Sequence, residues 1–529
     1  MRTWINMLAA LIALGASFIS SGLQVDAAEG PNVIFILADD MGYGDVGALN
    51  PESKIKTPNL DALARGGMVF TDAHSSSSVC TPTRYGVLTG RYNWRTKLQN
   101  GVCWGFSRRL IEPGRETVAS MLKGAGYHTA AIGKWHLGMD WPRLESKGGG
   151  FADDGMRWDP KYRGGWDVDF SKPIENGPNT VGFDYFFGIS ASLDMPPYVY
   201  IENDHAHVSK LVEKTFYNRT GPADSEFEDI DVLPRITEKA VAYIHERAEA
   251  DEDRPFFLYF PLNAPHTPIV PIEKWQGKSG LNKYGDFVMQ VDDSIGQVMQ
   301  ALEANGISEN TLIIFTADNG CSPAARIDEM KKKGHFPNWI FRGHKADIFE
   351  GGHRVPFIAR WPAVVEAGSE SNRLTCLNDL MATCNELIGQ ELPDNAGEDS
   401  VSFLSALKGN DDISTHEAIV HHSINGTFSI RRSDWKLELC AGSGGWSSPR
   451  PNRDETSKLT AVQLYNLKND ISETTNVVAD HLNVATDLLG LLQSYVKKGR
   501  STSGESQENA VDVDVFRVNA RAGKFFSSK

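Results

Sequence analysis

Six cysteines, Cys80, Cys103, Cys321, Cys376, Cys384 and Cys440, serve a chain of 529 residues. That is too sparse for a disulfide scaffold, and although an even number permits three bridges, spacing alone fixes no pairing. Basic residues are also in deficit, with 53 Lys and Arg against 68 Asp and Glu, a formal charge of −15. This excludes the net-basic footprint of a nucleic-acid binder. It leaves room for an anionic substrate held by a local cluster of cations. No repeat of solenoid type is present. After the first thirty residues no apolar run is long enough to span a bilayer.

The N-terminus is the exception to that polarity. Arg2 is followed by an apolar run from Met7 to Ile19, and Val25-Asp26-Ala27 places small residues where a signal peptidase cuts. Residues 1–27 therefore read as a signal peptide, and the mature protein is expected to be exported, periplasmic or secreted, with no transmembrane segment. Apolar content of 41% and aromatic content of 10% suit a globular chain with a large core.

Strand and helix patterns alternate through most of what remains. "NVIFILADD", "HTAAIGKWH", "FFLYFPLNAPH" and "TLIIFTADN" are apolar runs that end in polar loops, as buried parallel strands do. Between them "TPNLDALARGG" is a short helix with Thr57 as expected N-cap and Pro58 in its first turn. Phe287, Val291, Ile295, Val298 and Leu302 recur at helical spacing. The fold class is α/β, a large mainly parallel sheet flanked by helices. From about Pro393 short half-exposed strands and one helix read as a smaller C-terminal α+β domain, giving divisions at 28–392 and 393–529. Gly148 to Pro178 reads as a surface insertion, and Ser501 to Lys529 as either a tail or a segment that packs back.

Two strands stop alike, at Asp39-Asp40 and at Asp318-Asn319. Residues just past the carboxyl ends of strands line the ligand crevice of an open α/β sheet. If the two strands are neighbours, three carboxylates and an amide converge into a set of hard oxygen donors suited to Ca²⁺ or Mg²⁺; either motif alone is an ordinary turn. Lys134 and His136 follow one strand, His266 follows another, and Lys345 precedes "EGGHRVP". With Arg84 they form a cationic pocket beside that ion, fit for an anion that redistributes charge during transfer. Cys80 sits oddly in this company. A thiolate mismatches a hard oxygen site, and a disulfide would occupy the pocket.

The order of motifs carries a resemblance. Cys80-Thr81-Pro82-Thr83-Arg84 and Leu88-Thr89-Gly90-Arg91, with the Asp-Asp, Gly-Lys-Trp-His, Pro-His-Thr-Pro, Asp-Asn-Gly and Glu-Gly-Gly-x-Arg-Val-Pro blocks, resemble the formylglycine-dependent sulfatases of the alkaline-phosphatase superfamily. The likeness runs from Val33 to the "LYNLKND" segment. It implies an alkaline-phosphatase-like fold and hydrolysis of a sulfate ester. It also implies that a separate maturation enzyme oxidises Cys80 to Cα-formylglycine. The aldehyde hydrates; one hydroxyl attacks sulfur and the alcohol leaves, then the second hydroxyl loses its proton and sulfate is expelled as the aldehyde reforms.

Carried onto this chain, the resemblance implies Ca²⁺ bound by Asp39, Asp40, Asp318 and Asn319, with residue 80 also approaching it. Arg84 and Lys134 stabilise the hydrate and His136 abstracts its second proton. His266 and Lys345 hold sulfate oxygens and protonate the leaving alcohol, and Ser192 occupies the place of a sulfate-binding serine. Aromatic residues near Trp104 to Arg109, Gly148 to Asp169 and Trp339 are expected at the mouth, which favours a sulfated carbohydrate. The alternatives are a phosphodiesterase or phosphonate monoester hydrolase of the same superfamily, or an unmodified sulfated-glycan-binding protein.

Overall fold

The computed structural model describes residues 30–144, 165–250, 254–411, 415–451 and 453–528. The expected signal peptide and much of the insertion after Gly148 lie outside the described residues. In chain order the large sheet comprises β1 (Asn32–Ala38), β2 (Met68–Phe70), β3 (His128–Lys134), β4 (Tyr185–Ile189), β5 (Tyr200–Glu202) and β6 (His205–His207). It continues with β7 (Phe256–Pro261), β8 (Thr311–Ala317), β9 (Phe357–Arg360) and β10 (Ser369–Ser371). The ten strands lie in the order β10-β2-β9-β8-β1-β7-β3-β4-β5-β6. The central five, β8, β1, β7, β3 and β4, are parallel. Antiparallel pairing appears only toward the flanks.

The apolar runs read as strands are the buried ones; every residue of β7 and β8 is buried. Helices α1 (Pro58–Arg65), α2 (Cys80–Thr89), α3 (Val118–Gly124), α4 (Val232–Glu249) and α5 (Lys283–Ala304) join or cover them. Helix α5 buries Phe287, Val291, Ile295, Val298 and Leu302. Each such side chain removed from water contributes about 1.5–3 kcal/mol. Pro58 opens α1 as expected, but Thr57 does not cap it. Its hydroxyl donates instead to Asp61 Oδ1 at 3.2 Å and accepts from the Gly47 amide at 2.9 Å. Gly133, with φ +137°, permits a close crossing: a Cβ there would lie 1.9 Å from the Pro261 carbonyl oxygen.

A second, antiparallel sheet follows in simple order: β11 (Ile419–His422), β12 (Phe428–Arg432), β13 (Trp435–Glu438) and β14 (Gln463–Asn466). Helix α6 (Leu482–Lys498) packs on it through Leu488, Leu489 and Leu492. The C-terminal segment packs back: the Ala510 amide donates to the Arg95 carbonyl at 2.8 Å, and Val515 and Ala522 are buried in the same cluster.

This sheet docks on the chain just before residue 80. Ser77 Oγ and the Ser78 amide donate to the His422 carbonyl at 3.0 and 3.2 Å. Beneath it Lys436 is fully buried, bonded to Glu350 at 3.1 Å and Glu473 at 2.7 Å, while Arg431 pairs with Asp72 at 2.6 Å. His422 lies in this junction with neither ring nitrogen hydrogen-bonded. Burial, then Arg517, lowers its pKa from 6.5 to about 3. In the unfolded chain it takes up a proton as pH falls through about 6.5, while the folded residue stays neutral, so stability declines on acidification. The expected loss from His422 alone is about 2 kcal/mol between pH 8 and pH 5. Urea unfolding across that range should show a decline shallower by that amount in His422→Gln; an unchanged slope refutes this origin.

Candidate active site

The register of two strands builds the centre of the site. β1 and β8 pair in parallel with Ala38 opposite Ala317, so Asp39-Asp40 and Asp318-Asn319 leave the sheet side by side. All four are buried. Asn319 Nδ2 donates to Asp40 Oδ1 at 2.7 Å, and the Asp40 amide donates to Asp318 Oδ1 at 3.2 Å. Asp40 has φ +65°, an uncommon conformation for a residue other than glycine. It is held there by that amide bond and by Tyr284, whose hydroxyl donates to the Asp40 carbonyl at 3.1 Å.

Cations close in from three other elements. Cys80 is the first residue of α2, 2% exposed, and Arg84 lies one turn on, on the same face. The Arg84 guanidinium donates to Asp318 Oδ2 at 2.7 and 3.1 Å and to the Lys134 carbonyl at 3.0 Å. Lys134 sends its ammonium to Asp39 Oδ2 at 2.5 Å. Lys345 reaches Asp40 at 2.6 Å, and His266 Nε2 lies 3.5 Å from the same carboxylate. Burial raises Asp39, but Lys134, His266, Arg84 and Lys345 outweigh it and hold the carboxyl well below its usual range. Asp318 moves the other way, raised by burial and by the Asp39 charge. Burial also lifts the Cys80 thiol to about 11, against the pull of Lys134 and Lys345. At neutral pH it is a protonated thiol, a poor nucleophile.

His136 also adopts a left-handed conformation, with φ +56°. Its Nε2 donates to the Cys103 carbonyl at 2.7 Å, leaving Nδ1 buried and without a hydrogen-bond partner. Burial, then Lys134 and Arg84, holds its pKa far below the usual value, so the ring is neutral with an open basic nitrogen. Thr81, inside the Cys-x-Pro-x-Arg pattern but not singled out by sequence, joins these elements. Its hydroxyl donates to the His136 carbonyl at 3.0 Å and accepts from the Cys103 amide at 3.1 Å. Asn263 was also missed. It is buried beyond β7 with both amide atoms unbonded, and only its place three residues before His266 hinted at it.

The structure thus gathers Asp39, Asp40, Cys80, Arg84, Lys134, His136, His266, Asp318, Asn319 and Lys345 at one end of the sheet. Ser192 follows β4; the neighbouring Ser190 carbonyl accepts from the His136 amide at 3.0 Å, and Ser192 Oγ is buried and unbonded. Lys134 was expected in a loop but is the last residue of β3 and fully buried. Two of the tryptophans expected at the mouth have partners. Trp339 stacks on Tyr43 at 5.9 Å beside a separate cavity of about 720 Å³, and Arg219 covers Trp104 at 4.6 Å.

Carboxylate oxygens and an amide suit a hard divalent cation. Asp39 Oδ1 and Asn319 Oδ1 are buried without hydrogen bonds, so the donor set fits such an ion. A second cluster, His74, His353 and His421, does not. The His353 and His421 rings stack at 3.8 Å with planes 12° apart, so their in-plane lone pairs cannot meet at one ion.

The fold and this set of groups define an anion-transferring hydrolase of the α/β class. Residues 31–390 match the family model for Sulfatase, and the chain belongs to that family; it is a sulfuric ester hydrolase. It is 33% identical to the N-acetylgalactosamine-6-O-sulfatase of Bacteroides thetaiotaomicron over 509 residues, covering 88% of this chain and 93% of the relative. It is 30% identical to human arylsulfatase A over 502 residues, covering 90% and 88%. Among solved structures, Ps i-CgsB in complex with k-i-k-neocarrahexaose aligns with a TM-score of 0.66 at 25% identity, covering 90% and 95%. The family implies a formylglycine and a divalent metal.

Because Lys134 is buried against Asp39, Lys134→Ala strands a buried charge. Urea unfolding of metal-free protein should show a loss of about 3 kcal/mol. His266→Ala, whose contact with Asp40 is longer at 3.5 Å, should cost less, about 1 kcal/mol. Equal losses would contradict this difference in contact.

Proposed function

We propose that the protein removes sulfate from a sulfated carbohydrate, using a Cα-formylglycine made from Cys80 by a maturation enzyme, with Ca²⁺ bound by Asp39, Asp40, Asp318 and Asn319. The observation that carries this reading is residue 80 at the start of α2, its sulfur grouped with the Asp39 and Asp318 carboxylates inside a ring of cations. A helix N-terminus favours an anion. The raised thiol pKa argues that the unmodified cysteine is not the working group. The names of the Bacteroides relative and of the carrahexaose complex support a sugar substrate.

When present, the cation supplies Lewis acidity to oxygens near residue 80. When formed, the hydrated aldehyde supplies one hydroxyl for attack on sulfur and a second through which sulfate departs. The chain's own residues do the rest. Arg84 and Lys134 fix the acidic cluster and stabilise negative charge beside residue 80. His136 accepts a proton at Nδ1, its orientation set by the Cys103 carbonyl. His266 holds its Nδ1 proton toward the Thr267 carbonyl at 2.8 Å, leaving Nε2 to face the pocket with Lys345. Those two groups bind sulfate oxygens and deliver a proton to the leaving alcohol, and Ser192 adds a hydroxyl. Residues 1–27 direct export to the periplasm or the medium, 28–392 form the catalytic domain and 393–529 the smaller domain.

Cys80→Ala should lower turnover of an aryl sulfate by about 10⁴-fold or more while preserving the fold. Mass spectrometry of the peptide containing residue 80 should detect the aldehyde in active protein, and calcium should raise the melting temperature of the parent. An unconverted cysteine in fully active protein would sink the nucleophile assignment. Faster cleavage of a matched aryl phosphodiester would favour the phosphodiesterase alternative.

A further inference from the structure

We propose that Trp446 is the sugar-stacking platform at the pocket rim, and that Asp347 sets its position relative to Lys345. The inference rests on the sulfated-carbohydrate reading. Of the aromatics expected at the mouth, Trp339 lies against Tyr43 and Trp104 under Arg219. Trp446 is 38% exposed, and among the described residues no ring or cation covers its indole.

Its backbone is nevertheless fixed. Asp347 is fully buried, and its Oδ1 accepts from the Trp446 and Ser447 amides at 2.7 and 3.0 Å. The other oxygen accepts from the His344 amide at 3.0 Å. One carboxylate therefore clamps the Trp446 loop to the turn that carries Lys345. That turn is anchored in the site: the Lys345 amide donates to the Cys321 carbonyl at 3.0 Å, and the Ala346 amide to the Ser78 carbonyl at 2.8 Å, two residues before Cys80. The loop presses so close that a Cβ on Gly445 would lie 2.2 Å from the Ala346 carbonyl oxygen. The Ala346 carbonyl also accepts from the Ile424 amide at 3.2 Å, and the Ile424 carbonyl from the Gly101 amide at 2.7 Å.

The Trp446 backbone and the turn that carries Lys345 thus share one carboxylate, and Lys345 itself reaches Asp40 at 2.6 Å. An open, rigidly held indole suits the C–H face of a pyranose, to which it offers area at little cost in ordering. Its occupant is the neighbouring sugar of a chain substrate, not the sulfate group.

The test uses binding as well as turnover. In a Cys80→Ala background, calorimetric titration with chondroitin 6-sulfate hexasaccharide and with N-acetylgalactosamine 6-sulfate reads affinity without chemistry. Trp446→Ala should weaken the hexasaccharide about tenfold and the monosaccharide less than twofold, and Trp446→Phe should recover most of the difference. In converted enzyme, Trp446→Ala should raise KM for the hexasaccharide about tenfold with kcat within threefold. Asp347→Asn should raise the same KM, with no further rise in the double variant. The proposal is overturned if Trp446→Ala binds the hexasaccharide like its parent, if both sugars weaken equally, or if the parent binds the hexasaccharide no tighter than the monosaccharide. Failure of converted parent protein to release sulfate from either sugar, with binding intact, would instead overturn the function on which the inference rests.

Discussion

Charge compensation in a space closed to water is the constraint on which this molecule depends. The parallel register of β1 and β8 brings Asp39, Asp40 and Asp318 together where solvent cannot separate them. Left alone, three buried carboxylates would repel and shed their charge. Arg84, Lys134 and Lys345 oppose that, and each arrives from a different element: the second turn of α2, the end of β3 and the turn before β9. The loops of the catalytic end are therefore not independent ornaments on a sheet. Moving any one of them exposes an unpaired charge on another.

The smaller sheet takes part in the same arrangement at one remove. β11 fixes Ser77 and Ser78, and hence the entry into α2, while the loop after β13 bears on the turn that carries Lys345. Its own footing is a buried set of charges centred on Lys436, Glu350 and Glu473. Such a footing favours one docking geometry over others, because any shift leaves buried ions without partners. The C-terminal sheet thus belongs to the construction of the active end even though it supplies none of the acidic or basic groups there.

Much of this was legible because the signals were local. Apolar runs marked the buried strands, and in an open parallel sheet their polar ends mark the crevice, so Asp39, Asp40, Asp318 and Asn319 could be named before their adjacency was known. What escaped depends on contacts between distant segments. Thr81 gained its part only when Cys103 and His136 came to either side of it. Thr57 looked like a cap until Asp61 and Gly47 claimed its hydroxyl. Lys134 read as a loop residue because the strand continues two residues past the apolar run. Composition also could not show that Trp339 is stacked on Tyr43.

The docking of β11 onto the serine run also has a consequence in time. Ser77 is bonded to a residue 345 positions later in the chain, so on a ribosome working at 5–20 residues per second its partner emerges on the order of 20–70 s afterwards. Until then the segment leading into residue 80 lacks the strand that closes over it. In the finished fold residue 80 is 2% exposed, so its side chain is more open before that strand arrives than after. Chain order thus places the covering strand far downstream of the segment it covers.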